Sequence, residues 1–342
     1  MQEALHILRQ KGISISHDEG NAASAAILLH DIGHGPFSHV LENTLVHGIS
    51  HEEISLLMMN TINNEFHGEL SEAIRLFKDE YPRRFLHQMI SSQLDMDRLD
   101  YLCRDSFFCG VNEGTVASAR ILKMLNVSDD KLVVEAKGIY SIEKFLVARR
   151  LMYWQVYLHK TSVGAEQLLI HILRRAQELA SEGYALFSTP ALHWFLYNRV
   201  NLQNFANDEE ALRLYAQLDD TDILSAIKVW EDSDDFVLSE LCKAFSNRKL
   251  FKVRVLEGPL SHDELESTAA TYARHFGISQ HEALYFCGVH TVSTDTYSPK
   301  DDSIGILYKD GVIKDIADAS DMLNIQVLSK KVEKHYLFYY PL

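Results

Sequence analysis

The sequence has little of what marks secreted, membrane-embedded or nucleic-acid-coating chains. Its 342 residues include four cysteines, Cys103, Cys109, Cys242 and Cys287, with no CxxC spacing among them. That pattern excludes a disulfide frame or a zinc ribbon and points to reduced thiols in a cytoplasmic setting. No signal-peptide pattern and no apolar run long enough to span a membrane stands out. Basic residues are outnumbered, 33 against 48 acidic, for a net charge of -15. So acidic a chain does not coat phosphate backbones or anionic lipid, which argues against broad nucleic-acid binding and against a membrane partner. Low-complexity tracts and internal repeats are absent, and 46% hydrophobic residues supply an ordered core. The length suits one large domain or two.

The first 200 residues carry mostly helical patterns. Residues 1–11 form an amphipathic piece that Gly12 ends. Residues 17–30 are Ala-rich and helical, and residues 36–45 form a third helix with Pro36 in its first turn. Helical patterns continue over residues 53–60, over 85–107 up to a break at Gly110, and over 142–179 as one long element. Pro190 breaks the pattern before a helix over 191–202. Beyond residue 205 the chain turns mixed, with acidic helical segments at 208–218, 222–230 and 235–245. Strand-like runs follow at 251–256 and 336–340, and an Asp310-Gly311 turn signals a hairpin between 304–308 and 312–313. The expected fold class is therefore mainly α: an all-helical domain over residues 1–205, then a smaller α+β region over residues 206–342 suited to oligomerisation or regulation.

One stretch concentrates chemistry. An apolar run over residues 25–29 ends in His30-Asp31; His34 follows, then a Gly35-Pro36 break, then His39 and Glu42. A His-Asp pair alone is weak evidence, since the chain also has His17-Asp18 and His262-Asp263. Those two sit in Ser-His-Asp-Glu contexts, where acidic residues favour a helix start. His30-Asp31 differs because it leaves an apolar helix and so enters a buried place, where an ionised Asp needs a compensating cation or donors. Imidazole and carboxylate together suit a divalent metal, Mn, Fe, Zn, Ni or Mg.

Farther on, Asp97, Asp100/Tyr101 and Arg104/Asp105 recur on one helix face, either a solvated ion-pair face or the wall of a site. Arg149, Tyr153, Tyr157 and Lys160 make a similar stripe, either core-edge residues or a phosphate and sugar clamp. Basic residues are dense from Arg98 to Arg175, which suits a small anionic substrate or a row of solvated helix faces.

HDIGHGPFSHVLE at 30–42, SHEE at 50–53 and SQLDMDRLDYLCRDS at 92–106 occur in this order. ARRLMYWQVYLHK at 148–160 and NRKLFKV at 247–253 follow. The set resembles the HD-domain phosphohydrolases, above all the deoxynucleoside-triphosphate triphosphohydrolases of the SAM-and-HD-domain branch. The resemblance covers about residues 20–255 and weakens beyond. It implies His30, Asp31 and Asp97 as ligands of one divalent metal ion. It implies His39, Glu42, His51 and His34 as the catalytic group, Arg98 and Arg149 on phosphates, and Tyr101, Asp105 and Tyr157 on the sugar.

The implied reaction is metal-assisted hydrolysis of dNTPs to deoxynucleoside and inorganic triphosphate, in a homo-oligomer. The alternatives are another HD nucleotidase or phosphodiesterase, or a catalytically impaired nucleotide-binding module. Three departures bear on this. Arg98 stands where some relatives have Lys, the segment VNEG at 111–114 replaces a Tyr-Gly pattern, and the family's first ligand His would lie upstream of Met1. With an uncapped helix at its start, the chain is expected to be an N-terminally shortened form of a longer protein.

Overall fold

The computed structural model describes residues 1–342 except 39, 41–43, 47, 208, 295–296, 298–302 and 322–330. The chain order begins with helices α1 (Gln2–Gln10), α2 (His17–Leu29), α3 (His51–Glu65), α4 (Ser71–Phe77), α5 (Arg84–Gln88), α6 (Met96–Cys109) and α7 (Ser118–Met124). Strands β1 (Leu125–Ser128) and β2 (Lys131–Glu135) follow, then α8 (Ile139–Met152), α9 (Lys160–Ser181) and α10 (Pro190–Tyr197). Short helices over 202–246 lead to β3 (Lys252–Leu256), α11 (His262–Phe276), β4 (Cys287–Thr294), β5 (Gly305–Leu307), β6 (Ile313–Asp315) and β7 (Val332–Tyr339). The protein is mainly α with a smaller α+β part toward its C-terminus, as its sequence pattern indicates. No helix among the described residues is long and apolar enough to cross a membrane.

Two compact units share the chain. Unit 1 takes Met1–Ile32, Met58–Tyr157 and Thr294–Val332; unit 2 takes Gly33–Leu57, Leu158–Ser293 and Glu333–Leu342. In unit 1, Leu5 and Leu8 of α1, Ala23 and Ala26 of α2, Leu99 and Leu102 of α6 and Phe145 and Met152 of α8 bury one core. A four-stranded sheet in the order β1-β2-β5-β6 closes one side of it. In unit 2 the three-stranded sheet runs β3-β7-β4, and Phe251 of its margin stacks on Phe338 at 5.5 Å. Leu168 and Ile172 of α9, Phe195 of α10, Trp230 and Phe286 supply the rest of that interior.

Local chemistry sets the helix ends. Ser16 and Ser261 each accept the N–H of the residue three ahead, while Glu19 and Glu264 return the bond in a capping box. His17-Asp18 and His262-Asp263 therefore open helices, in line with their sequence context. Gly110 ends α6 in the left-handed region at φ 68°.

Three expectations need correction. The pattern over 85–107 is two helices, because Asp95 caps a fresh start by accepting the Arg98 N–H at 2.7 Å. The single element over 142–179 breaks: α8 runs into a π-helical turn, Tyr153–Tyr157, and His159 then caps α9 through the Thr161 N–H. Residues 125–135, expected in a helical region, form the β1–β2 hairpin around Asp129 and Asp130, both at positive φ. Strand β4 was not foreseen. Of the helix expected over 36–45, residues 39 and 41–43 lie outside the described residues.

Candidate active site

Unit 1 gathers the three residues read as metal ligands. Helix α2 ends at Leu29 and leaves His30 as its C-cap, while Asp97 sits in the first turn of α6. The Nε2 of His30 lies 3.4 Å from Asp31 Oδ2 and 3.8 Å from Asp97 Oδ2. One donor atom from each residue lies within 4.8 Å of the others. Metal–ligand bonds of about 2.0–2.2 Å put neighbouring donors about 3–3.5 Å apart, so the set fits one divalent ion. The His30 Nδ1 lies 2.7 Å from the Ile27 carbonyl. As a donor there, it turns Nε2 toward the carboxylates, the second-shell arrangement of metal-binding imidazoles.

Burial disfavours the His30 imidazolium, but the Asp97 hydrogen bond and the Asp31 charge outweigh it, so its pKa is raised to about 9. A cation would replace that proton as the counter-charge. The Asp31 side chain is half exposed and not buried as its position after an apolar helix predicts, so convergence with Asp97, not burial, marks the pair.

Helices α6 and α8 with the π-turn build a second group in the same unit. Arg98 directly follows Asp97 and is held by Asp95, whose Oδ2 accepts its Nε at 2.9 Å. Asp95 is buried, which pushes its carboxyl up against the pull of Arg98. Arg149 is 7% exposed; its Nη1 donates to Gln93 Oε1 at 2.9 Å, and its Nε has no partner among the described residues. Burial and the nearby Arg98 charge lower the Arg149 pKa. Two crowded guanidiniums, one with an unsatisfied buried donor, favour an anion between them.

The polar edge of the group is hydrogen-bonded. Tyr157 donates its hydroxyl to Asp105 Oδ2 at 2.6 Å, and burial, then that bond, raises its pKa. The Tyr101 ring meets Tyr157 edge-on at 6.2 Å, and burial raises its phenol as well. The α6 stripe thus divides: Tyr101 and Asp105 join this group, while Asp100 and Arg104 pair in solvent.

In unit 2, His34 and His51 stack with ring centroids 4.0 Å apart. Gly33 makes the approach possible, since a Cβ there would fall 2.1 Å from the His51 carbonyl oxygen and 2.4 Å from the Ser55 nitrogen. Its N–H donates to Ser55 Oγ at 2.9 Å, and its carbonyl accepts the Tyr215 hydroxyl at 2.9 Å. His39 and Glu42 lie outside the described residues.

Sequence reasoning missed Asp95, Gln93, Gly33 and Ser55. Only Asp95 carried a local signal, an acidic cap position three residues before Arg98. The Tyr153 ring lies 5.4 Å from that of Tyr157 and 5.9 Å from the Arg149 guanidinium.

A His/Asp/Asp donor set with guanidiniums beside it could hold a divalent ion next to a phosphate. Residues 2–105 match the HD domain family, and residues 116–186 match the HD-associated region. The crystal structure of a phosphohydrolase from Bacteroides thetaiotaomicron is 58% identical with a TM-score of 0.95, covering 99% of this chain and 84% of that one. The uncharacterized protein YwfO of Bacillus subtilis is 31% identical over 328 residues, 93% of this chain and 72% of YwfO. The deoxynucleoside triphosphate triphosphohydrolase SAMHD1 homolog of Dictyostelium discoideum is 28% identical over 188 residues, 49% of this chain and 36% of that protein. The chain belongs to the HD-domain phosphohydrolases. HD domains bind divalent metals, and the donor set here fits one.

Proposed function

We propose that this phosphohydrolase cleaves deoxynucleoside triphosphates to the deoxynucleoside and inorganic triphosphate. The supporting observation is the group adjoining the donor set. Arg98 follows Asp97 on α6, Arg149 has its buried Nε unpaired, and the Tyr157–Asp105 bond lies beside Tyr101. Guanidinium forks suit phosphates, and the hydrogen-bonded Tyr/Asp edge suits a sugar hydroxyl. The name of the Dictyostelium relative supports the same substrate class.

His30, Asp31 and Asp97 would hold the divalent ion; Mn, Fe, Zn, Ni and Mg all accept such donors. When bound, such an ion supplies Lewis acidity at the α-phosphoryl oxygen and an acidified water. Arg98 and Arg149 bind the phosphates, and Tyr101, Asp105 and Tyr157 orient the sugar. His39, oriented by Glu42, or His51, stacked on His34, moves a proton at the 5′-oxygen. A homo-oligomer belongs to the same reading.

The test is incubation with a dNTP panel and Mn²⁺, with products resolved by ion exchange. Intact triphosphate and free deoxynucleoside are expected. Stepwise release of single phosphates would instead identify another HD nucleotidase. Nucleotides that raise thermal stability without being consumed would identify a binding module. Asp97→Asn should lose turnover together with bound metal measured by mass spectrometry.

A further inference from the structure

Unit 2 contains a concave site of its own, built by α9 and the chain leaving α10. It encloses about 590 Å³, within the range of pockets that take small organic ligands. Helix α9 contributes Arg174 and Glu178, while Tyr197, Asn198, Arg199 and Asn201 come from the end of α10 and the segment after it. None of these residues belongs to the donor set or the guanidinium group of unit 1.

The walls are fixed by bonds that leave the two arginines uncommitted. Val200 bridges Val46 in parallel register. The side-chain oxygen of Asn201 accepts from Gln203 N at 2.9 Å and Asn204 N at 3.3 Å. The Tyr197 hydroxyl donates to the Tyr184 carbonyl at 2.7 Å and accepts from Leu186 N at 2.9 Å. Tyr197 therefore offers its ring, which His193 backs at 4.3 Å. Glu178, the one carboxylate of the lining, is already engaged by Arg175 Nη1 at 2.5 Å and the Tyr285 hydroxyl at 2.9 Å. Arg174 and Arg199 are both exposed, and neither makes a hydrogen bond or ion pair among the described residues.

Two guanidiniums without a partner among the described residues, facing a cleft whose only carboxylate among those residues is satisfied, are out of keeping with a chain of net charge -15. We propose that this cleft binds a small phosphorylated anion, with Arg174 and Arg199 on the phosphate and Tyr197, Asn198 and Asn201 against the organic part. Guanidinium forks match phosphate oxygens in two-pronged bonds and shed their water readily. The ring and amides give the rest of the ligand an apolar face and hydrogen-bonding groups. The site is independent of the catalytic reading, because its lining shares no residue with the donor set, the guanidinium group or the His34–His51 pair.

Isothermal titration of the whole chain with ribose 5-phosphate, in EDTA, tests it, with citrate as a polycarboxylate control. Wild type should bind ribose 5-phosphate at one such site per chain, at least tenfold more tightly than citrate. Arg174→Gln/Arg199→Gln should weaken that site at least tenfold, and Arg199→Glu alone should act in the same direction. Arg149→Gln, in unit 1, should leave it unchanged. Both cleft arginines are exposed, so circular dichroism melts of the variants should match wild type. Absence of binding, binding that the double substitution leaves intact, or preference for citrate would each overturn the proposal.

Discussion

Acid should weaken unit 2 through one side chain, His171. It lies on α9 with Nδ1 2.9 Å from the Tyr285 carbonyl oxygen, and the rings of Phe251, Tyr285 and Phe338 face it edge-on at 5.8, 5.9 and 5.2 Å. Burial lowers its pKa to about 4, the Tyr285 hydrogen bond opposes this, and Arg174 adds to the depression. The unfolded chain binds the proton near the ordinary value of 6.5, so between pH 6.5 and 4 it holds more protons than the folded one. His171 therefore costs nothing above about pH 6.5, and stability falls as the pH drops toward 4. The full span is roughly 3 kcal/mol, of which about 2 kcal/mol is lost by pH 5.

His171→Gln keeps an amide donor for the Tyr285 carbonyl and removes the titration. Urea melts followed by tryptophan fluorescence at pH 7.5 and pH 5 then give a difference of differences. Wild type should lose about 2 kcal/mol more than the variant across that interval, whatever constant packing cost the substitution carries. Equal losses in the two proteins would refute the buried neutral imidazole.

Two further predictions follow from contacts in the two units. Gly33→Ala sets a methyl against backbone atoms at 2.1 and 2.4 Å, so urea denaturation should show a loss of about 2 kcal/mol or more; a change under about 0.5 kcal/mol would contradict the close packing. Tyr157→Phe removes the donor to Asp105; if these residues orient a sugar, KM for dNTP should rise about tenfold with kcat changing less, and an unchanged KM would separate them from the substrate.

Much of the architecture was legible where a residue's own neighbours decide its conformation. Ser16 with Glu19 and Ser261 with Glu264 are reciprocal caps three residues apart, and each opens its helix. Asp310-Gly311 turns β5 back on β6. What stayed hidden needs partners distant in sequence or an uncommon local conformation. Asp129-Asp130 adopts positive φ without the glycine that normally announces a two-residue hairpin. The parallel pairing of Val133–Glu135 with Gly305–Leu307 joins segments some 170 residues apart, and no periodicity in either strand encodes it. No glycine or proline marks the π-turn at 153–157, so the helical pattern reads through it unbroken.

The site divides along the same line. His30, Asp31 and Asp97 could be nominated because imidazole and carboxylate are themselves the chemistry. What brings them together lies in backbone and supporting contacts with no signature of their own. The Ile27 carbonyl turns the His30 ring. Asp95 caps α6 and, with the same carboxylate, fixes Arg98 beside Asp97. Arg149 shows the limit most clearly: its sequence neighbours suit a solvated arginine as well as a phosphate ligand. Only burial beside Arg98, with Gln93 as one partner and Nε left unpaired, gives its charge a reason to await an anion.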